Sequence, residues 1–313
     1  MDAATWAMDN RPALLVLMFR GLFRNIREAH TDDVDPYQPF VEHDLCRLIE
    51  HFQASGYRFI SPDKMHLGLR TAPKRILLTF DDGYANNLRA LPIMRRYGVP
   101  APFFVTAGNV ASGEAFWWDV LHRELARRGI GRAAAAVERQ RLKALPVYAI
   151  RSTLKAMFGP DSLLPASETD WPMTIPEVKT LAAEPLATVG DHSLDHELLT
   201  RVPLDEARRQ ISVSQEMLTE WTGTSPRIIA YPNGNANDDV VTMAEQAGLK
   251  IGVTAEPGKS SLPLSSQYHM RIPRYAIVGG PGLRRQIRAA EAPFSLAEVQ
   301  NRFLRRRQQA TFR

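Results

Sequence analysis

The chain holds a single cysteine, Cys46, in 313 residues. An internal disulfide framework is therefore excluded, and the thiol is expected buried on a helix face. Long apolar runs are missing too. The run Ala13 to Phe19 is far too short to span a bilayer. Asp2 and Asp9 precede it and no small-residue cleavage site follows, so it reads as a first buried strand and the chain as cytoplasmic. Aromatic residues make up 8% of the chain, and acidic residues are outnumbered, 34 against 39 Lys and Arg, for a formal charge of +5. No nucleic-acid-binding motif accompanies that excess, so nucleic acid is not an expected partner. Much of it lies in Arg302, Arg305, Arg306, Arg307 and Arg313. Such a tail is either a solvated face or a peripheral contact with anionic lipid or an acidic substrate.

With 44% hydrophobic residues the chain can bury a large core. Apolar runs of strand length recur at 14–19, 57–60, 76–80, 102–106, 187–190, 228–231, 251–254 and 275–278. Helical periodicity falls between most of them, and Leu204, Ala207, Ile211, Ser214, Leu218 and Trp221 lie on one face of a long helix. This alternation predicts an α/β fold, a (β/α) barrel of about seven parallel strands. Residues 1–290 are assigned to the barrel and 291–313 to a basic C-terminal helix or tail. In that tail, Ser295 with Glu298 has the capping-box spacing. Residues of about 113–172 read as a helical insertion, its apolar content too thin for a core of its own. Residues 24–38 read as loop, and Pro92 is expected to bend or break the helical stretch Asn86 to Tyr97.

The stretch Ile76-Leu77-Leu78-Thr79-Phe80-Asp81-Asp82-Gly83 runs from a buried strand into two carboxylates and a glycine. Adjacent acids there are costly unless something pairs with them, and a metal ion is the usual solution. A second strand ends in Gly190-Asp191-His192-Ser193-Leu194-Asp195-His196, whose two imidazoles four apart can converge on one ion. Arg20, Trp117, Asn233 and Thr254 also follow strands directly. In a (β/α) barrel such positions meet at one face, where active sites sit.

Thr79-Phe80-Asp81-Asp82-Gly83 and His192-Ser193-Leu194-Asp195-His196 resemble the first two motifs of the polysaccharide deacetylases, which share the NodB homology domain. The resemblance extends from about residue 13 to 280. It implies a distorted barrel and a metal-dependent hydrolase that removes an N-acetyl group from an amino sugar of a glycan or its precursor. By the resemblance, Asp82, His192 and His196 hold one divalent metal. Zinc is expected, although cobalt, nickel and iron share these ligands. Asp81 becomes the general base, its alternative being a second ligand. Tyr231-Pro232-Asn233-Gly234 resembles the third motif, which places an oxyanion-binding amide at Asn233 and makes Tyr231 a substrate-binding candidate.

Two departures stand out. Many relatives carry an arginine where Ala230 stands, and Arg274 is the candidate to pair with Asp81 instead, an ordinary surface arginine being the alternative. Relatives begin with a strand ending in Tyr-His, where this chain has Phe19-Arg20. An arginine gives up no proton at working pH, so Arg20 becomes a substrate-binding candidate and His30 the nearest alternative acid in sequence. Trp117 and Trp118 are a sugar platform or insertion packing. The rival functions are a deformylase or other amidohydrolase on a lipid- or nucleotide-linked sugar, and a non-catalytic glycan-binding relative.

Overall fold

Strand β1 (Ala13–Phe19) divides its side chains between two layers, as a two-residue period requires. Leu14 and Val16 enter a cluster with Leu77, Phe104, Ile228, Ala230, Ile251 and Val253, all on strands. Leu15, Leu17 and Phe19 face a larger cluster shared with helices. The first cluster is the inside of a barrel and the second is the seam between barrel and helices. The computed structural model describes residues 13–31, 33–35, 39–66, 74–262, 264 and 269–292.

The remaining strands are β2 (Arg58–Phe59), β3 (Arg75–Phe80), β4 (Ala101–Val105), β5 (Ala187–Asp191), β6 (Ile228–Ala230), β7 (Ile251–Val253), β8 (Lys259–Ser261) and β9 (Tyr275–Ala276). The sheet runs β7-β6-β5-β4-β3-β1, every pairing parallel. β9 pairs parallel with the end of β1, and Ile272 just before it bridges Val253 of β7. That segment closes a distorted (β/α) barrel of seven parallel strands. β2 pairs with the start of β3, which meets β4 only at Phe80 and Phe103. β8 lies antiparallel on the start of β1.

The helices follow from capping and periodicity. α1 (Ile26–Ala29) is a single turn within the stretch expected to be loop, started by Asn25, whose side chain accepts from the Arg27 and Glu28 N–H groups. α2 (Glu42–Ala54) buries Leu45, Leu48, Ile49 and Phe52. Cys46 sits on it half-buried, not fully buried as expected. α3 (Ala90–Tyr97) is not broken by Pro92. The preceding turn, Ala85–Arg89, is 3-10, so the proline falls in the first α turn, where an absent N–H costs little. After α4 (Ala107–Ser112) come α5 (Trp117–Arg127), α6 (Arg132–Leu142) and α7 (Val147–Phe158). These three share a buried cluster built on Phe116, Trp117, Trp118, Leu121, Leu125, Leu142, Ile150 and Leu154, which also takes in Tyr84 from the turn after β3.

α8 (Ile175–Ala182) has the capping box between Thr174 and Glu177. α9 (Leu204–Thr222) buries Ala207, Ile211, Ser214 and Leu218. α10 (Asp238–Gln246) and α11 (Leu283–Glu291) complete the described helices. β8 and α11 were not expected from the sequence. The tail helix expected from Ser295, with the arginines beyond it, lies outside the described residues. Among the described residues no helix is long and apolar enough to cross a membrane.

Candidate active site

The inward parity of β3 runs Leu77, Thr79, Asp81, so Asp81 is aimed into the barrel mouth by the same alternation that buries the core. Its N–H donates to the Phe19 carbonyl at 2.8 Å, extending the β1–β3 ladder by one residue. Arg274, 1% exposed, grips Asp81 with two parallel bonds, Nη1 to Oδ1 at 2.7 Å and Nη2 to Oδ2 at 2.8 Å. The guanidinium is itself held by the Thr79 hydroxyl and by the Thr254 carbonyl, which accepts from Nε at 2.8 Å. Arg274 is thus no surface arginine; it makes the pairing with Asp81 proposed for it.

Asp82 follows with φ 75° and no exposure. Gly83 completes the turn at φ +88°, where an added Cβ would lie 3.2 Å from the Val105 backbone. Among the described residues, the non-glycine residues with positive φ are Asp82, Ser193, His196 and Asn233. All four stand at strand ends of this one face. Such conformations cost about 1 kcal/mol or more each and persist where surrounding structure enforces them.

The β5 motif brings its imidazoles to the same point. His192 Nε2 lies 3.2 Å and His196 Nε2 3.5 Å from Asp82 Oδ1. One ligand atom from each of the three residues falls within 4.8 Å of the others. His192 Nδ1 donates to the Ala230 carbonyl at 2.7 Å, which fixes the ring with Nε2 turned toward Asp82. Both Asp82 oxygens and both Nε2 atoms are buried without a hydrogen-bond partner. Buried polar atoms are normally satisfied. Three converging ligand atoms, one from each residue, fit a divalent cation. Burial pushes the His196 imidazole well below its usual range, helped by His192, so it is neutral and able to ligate. Burial alone would raise the Asp82 carboxyl, but the Arg20 guanidinium beside it leads the opposing effects, and the carboxyl is held below the usual carboxylate range.

Arg20 continues the inward parity of β1. Its Nε stands 3.4 Å from Asp82 Oδ2, and its guanidinium lies over the Trp118 ring, 5.4 Å from the centroid. Above this floor is a cleft lined among others by Arg20, Trp117, Trp118, Lys143, His196 and Asn233. Trp117 lines it and also packs into the helical cluster, as does Trp118. Asn233 sits in the turn after β6 at φ 55°, where an added Cβ on Gly234 would lie 2.1 Å from the Ala255 nitrogen.

Two candidates are placed elsewhere. Tyr231 shares the outward parity of Ile229 and is buried among Leu199, Ile211, Val240 and Met243, beneath α9 and α10, so it does not line the cleft. His30 is exposed at the end of α1 and does not line it either.

Three supporting residues had not been singled out. Asp191 accepts from the Ser193 N–H, the Ser214 hydroxyl and the Gln215 amide, which fixes the turn carrying both histidines. Tyr84 donates to Asp119 at 2.6 Å and accepts from Trp118 Nε1 at 2.8 Å, which pins the tryptophan beneath Arg20. Burial pushes the Asp119 carboxyl up to about 8 against the hydrogen bonds it accepts from the Asp35 N–H and the Tyr84 hydroxyl. The position of Asp191 directly before His192 was a usable signal; Tyr84 and Asp119 are 35 residues apart and gave none.

The sequence profile of the polysaccharide deacetylases matches residues 68–252, more than half of the chain. YxkH of Bacillus subtilis, which carries the same family designation, is 21% identical over 265 residues, covering 83% of this chain and 71% of its own. Among solved structures, the Streptococcus pyogenes deacetylase PplD in complex with acetate superposes with a TM-score of 0.61 at 17% identity, over 90% of this chain and all of that one. IcaB from Ammonifex degensii superposes with a TM-score of 0.58 at 18% identity, over 90% of this chain and 98% of its own. The motifs at the ends of β3, β5 and β6, the barrel that gathers them and the matched profile agree: the chain belongs to the polysaccharide deacetylase family.

Proposed function

We propose that this protein is a metal-dependent hydrolase that removes an N-acetyl group from an amino sugar of a glycan or glycan precursor. The observation that carries the reading is the convergence of orphaned Asp82, His192 and His196 ligand atoms beside an Asp81 clamped by Arg274. Two imidazoles and one carboxylate suit a catalytic zinc ion with open positions. When bound, that ion supplies acidification of a water and polarisation of the acyl oxygen.

The protein's own groups do the rest. Asp81 is the general base on the attacking water. Arg274 fixes both of its oxygens, so the proton is accepted in one orientation. The backbone amide of Asn233 stabilises the acyl oxygen as negative charge develops on it. Burial alone would lower the Arg20 pKa, but Asp82, Tyr84, Asp81 and Asp119 more than offset it. Arg20 therefore stays charged and orients substrate rather than donating a proton. The leaving amine takes its proton from solvent or from Asp81 once Asp81 has received one. Trp117 and Trp118 wall the cleft on the side of the sugar.

Mass spectrometry of products from an N-acetylated and an N-formylated amino sugar tests this reading. Acetate release that is lost in His192→Ala is expected. Formate release without acetate release would replace deacetylation by deformylation.

A further inference from the structure

The cleft above the Asp82–His192–His196 cluster carries more positive charge than the hydrolysis of a neutral acetamide needs. Lys143 is the first residue after α6 and reaches across to the turn after β6, its Nζ 3.4 Å from Asn233 Oδ1. Arg20, Arg139 and Lys143 line one cleft together, and the Arg201 guanidinium donates to the Lys143 carbonyl at 3.4 Å. The carboxylates lining that cleft are Asp35 and Glu197. Asp35 is taken by an ion pair with Arg139. Glu197 is turned to the backbone, accepting from the Val147 N–H at 2.7 Å and the Leu198 N–H at 3.0 Å. Among the described residues no carboxylate stands within 4.0 Å of Lys143 Nζ, and the acid beside Arg20 is Asp82. Burial lowers the Lys143 pKa, and Arg20, Arg139 and Arg201 lower it further, with Asp35 opposing them. Cations crowded at a cost to one another are stabilised by an anion from outside.

We propose that Lys143 and Arg20 form an oxyanion subsite for a phosphate or carboxylate carried by the sugar next to the acylated one or by the same ring. This rests on the deacetylase reading and narrows its substrate to an anionic N-acyl sugar. Lys143 belongs to the helical insertion and Asn233 to the barrel, so an anion held there registers the acetamide over the barrel mouth. An ammonium and a guanidinium suit both candidate anions; guanidinium pairs either group in a bidentate manner.

The test uses three acetylated probes on the metal-loaded protein: N-acetylglucosamine, N-acetylglucosamine 1-phosphate and N-acetylmuramic acid. Acetate release gives kcat/KM for each, and calorimetry gives Kd independently of turnover. One or both anionic probes should exceed the neutral one about tenfold or more in kcat/KM and bind more tightly, with KM rising at higher salt. Which probe is preferred separates a phosphate from a carboxylate. Lys143→Gln should cut the anionic-to-neutral ratio about tenfold, and Lys143→Arg should restore most of it. Equal kcat/KM for all three probes, or a ratio unchanged in Lys143→Gln, overturns the subsite while leaving deacetylation intact. If no probe is hydrolysed, tighter binding of an anionic probe that is lost in Lys143→Gln still supports the subsite, and equal or absent binding overturns it.

Discussion

Arg274 and Asp81 are joined by two parallel N–H···O bonds of 2.7 and 2.8 Å, although 193 residues separate them in the chain. Arg274 enters from the segment that closes the barrel between β7 and β1, so the base is oriented by the closing step of the fold. A lysine cannot reproduce the fork. Arg274→Lys should keep its metal and its fold but lose about 10- to 100-fold in kcat. Arg274→Ala leaves a buried carboxylate unpaired and should also lower stability by about 3–5 kcal/mol. Metal analysis, steady-state kinetics and chemical denaturation of the two variants check this.

The two neighbouring aspartates should separate by metal content. Asp81→Asn is expected to retain the metal and lose about 10²- to 10⁴-fold in rate, because only proton transfer is removed. Asp82→Asn is expected to lose the metal on dialysis. Elemental analysis of both proteins distinguishes the roles, and a metal-free Asp81→Asn would make Asp81 a ligand.

Most of this site was legible because strand alternation and strand ends carry it. Asp81 and Asp82 follow a buried strand, and the two histidines follow another. The same alternation explains why Tyr231 does not reach the cleft. Tyr231 lies an even number of residues from Ile229, which faces the helices, while Ala230 faces the barrel and offers its carbonyl to His192. The Trp118–Tyr84–Asp119 chain was not legible, since nothing local links β3 to an insertion helix. β8 was missed because Lys259-Ser260-Ser261 has little apolar content; the β1 edge, not propensity, makes it a strand.

Arg20 should leave a mark on the pH profile. A histidine acid at that position would give a falling basic limb, whereas a guanidinium stays charged across the accessible range. The expected result is a plateau in kcat/KM above the pKa of the base, with no basic limb near neutrality. Arg20→His should introduce such a limb if the ring reaches the leaving nitrogen. A falling limb between about pH 7 and 8 in the wild type would assign the acid role to another group.

Asp119 makes the fold sensitive to alkaline pH. Its carboxyl is raised in the folded state to about 8 from 3.8, burial being the main cause. Between those values the folded protein holds a proton that the unfolded chain has released. Stability is therefore lost as pH rises through that window, and the loss is complete above the folded pKa. Tm should fall by several degrees between pH 6 and 9, and Asp119→Asn should flatten that decline. Scanning calorimetry across the range decides it; an equal decline in the variant would place the sensitive group elsewhere.

The most direct test of the account is metal content measured beside acetate release from an N-acetylated glucosamine oligomer, before chelation, after it, and after titrating zinc back. One divalent ion per chain is expected, with loss of acetate release in the stripped protein and recovery that saturates at one equivalent in the wild type but not in His192→Ala. Full acetate release by the stripped protein, or equal recovery in His192→Ala, would contradict it.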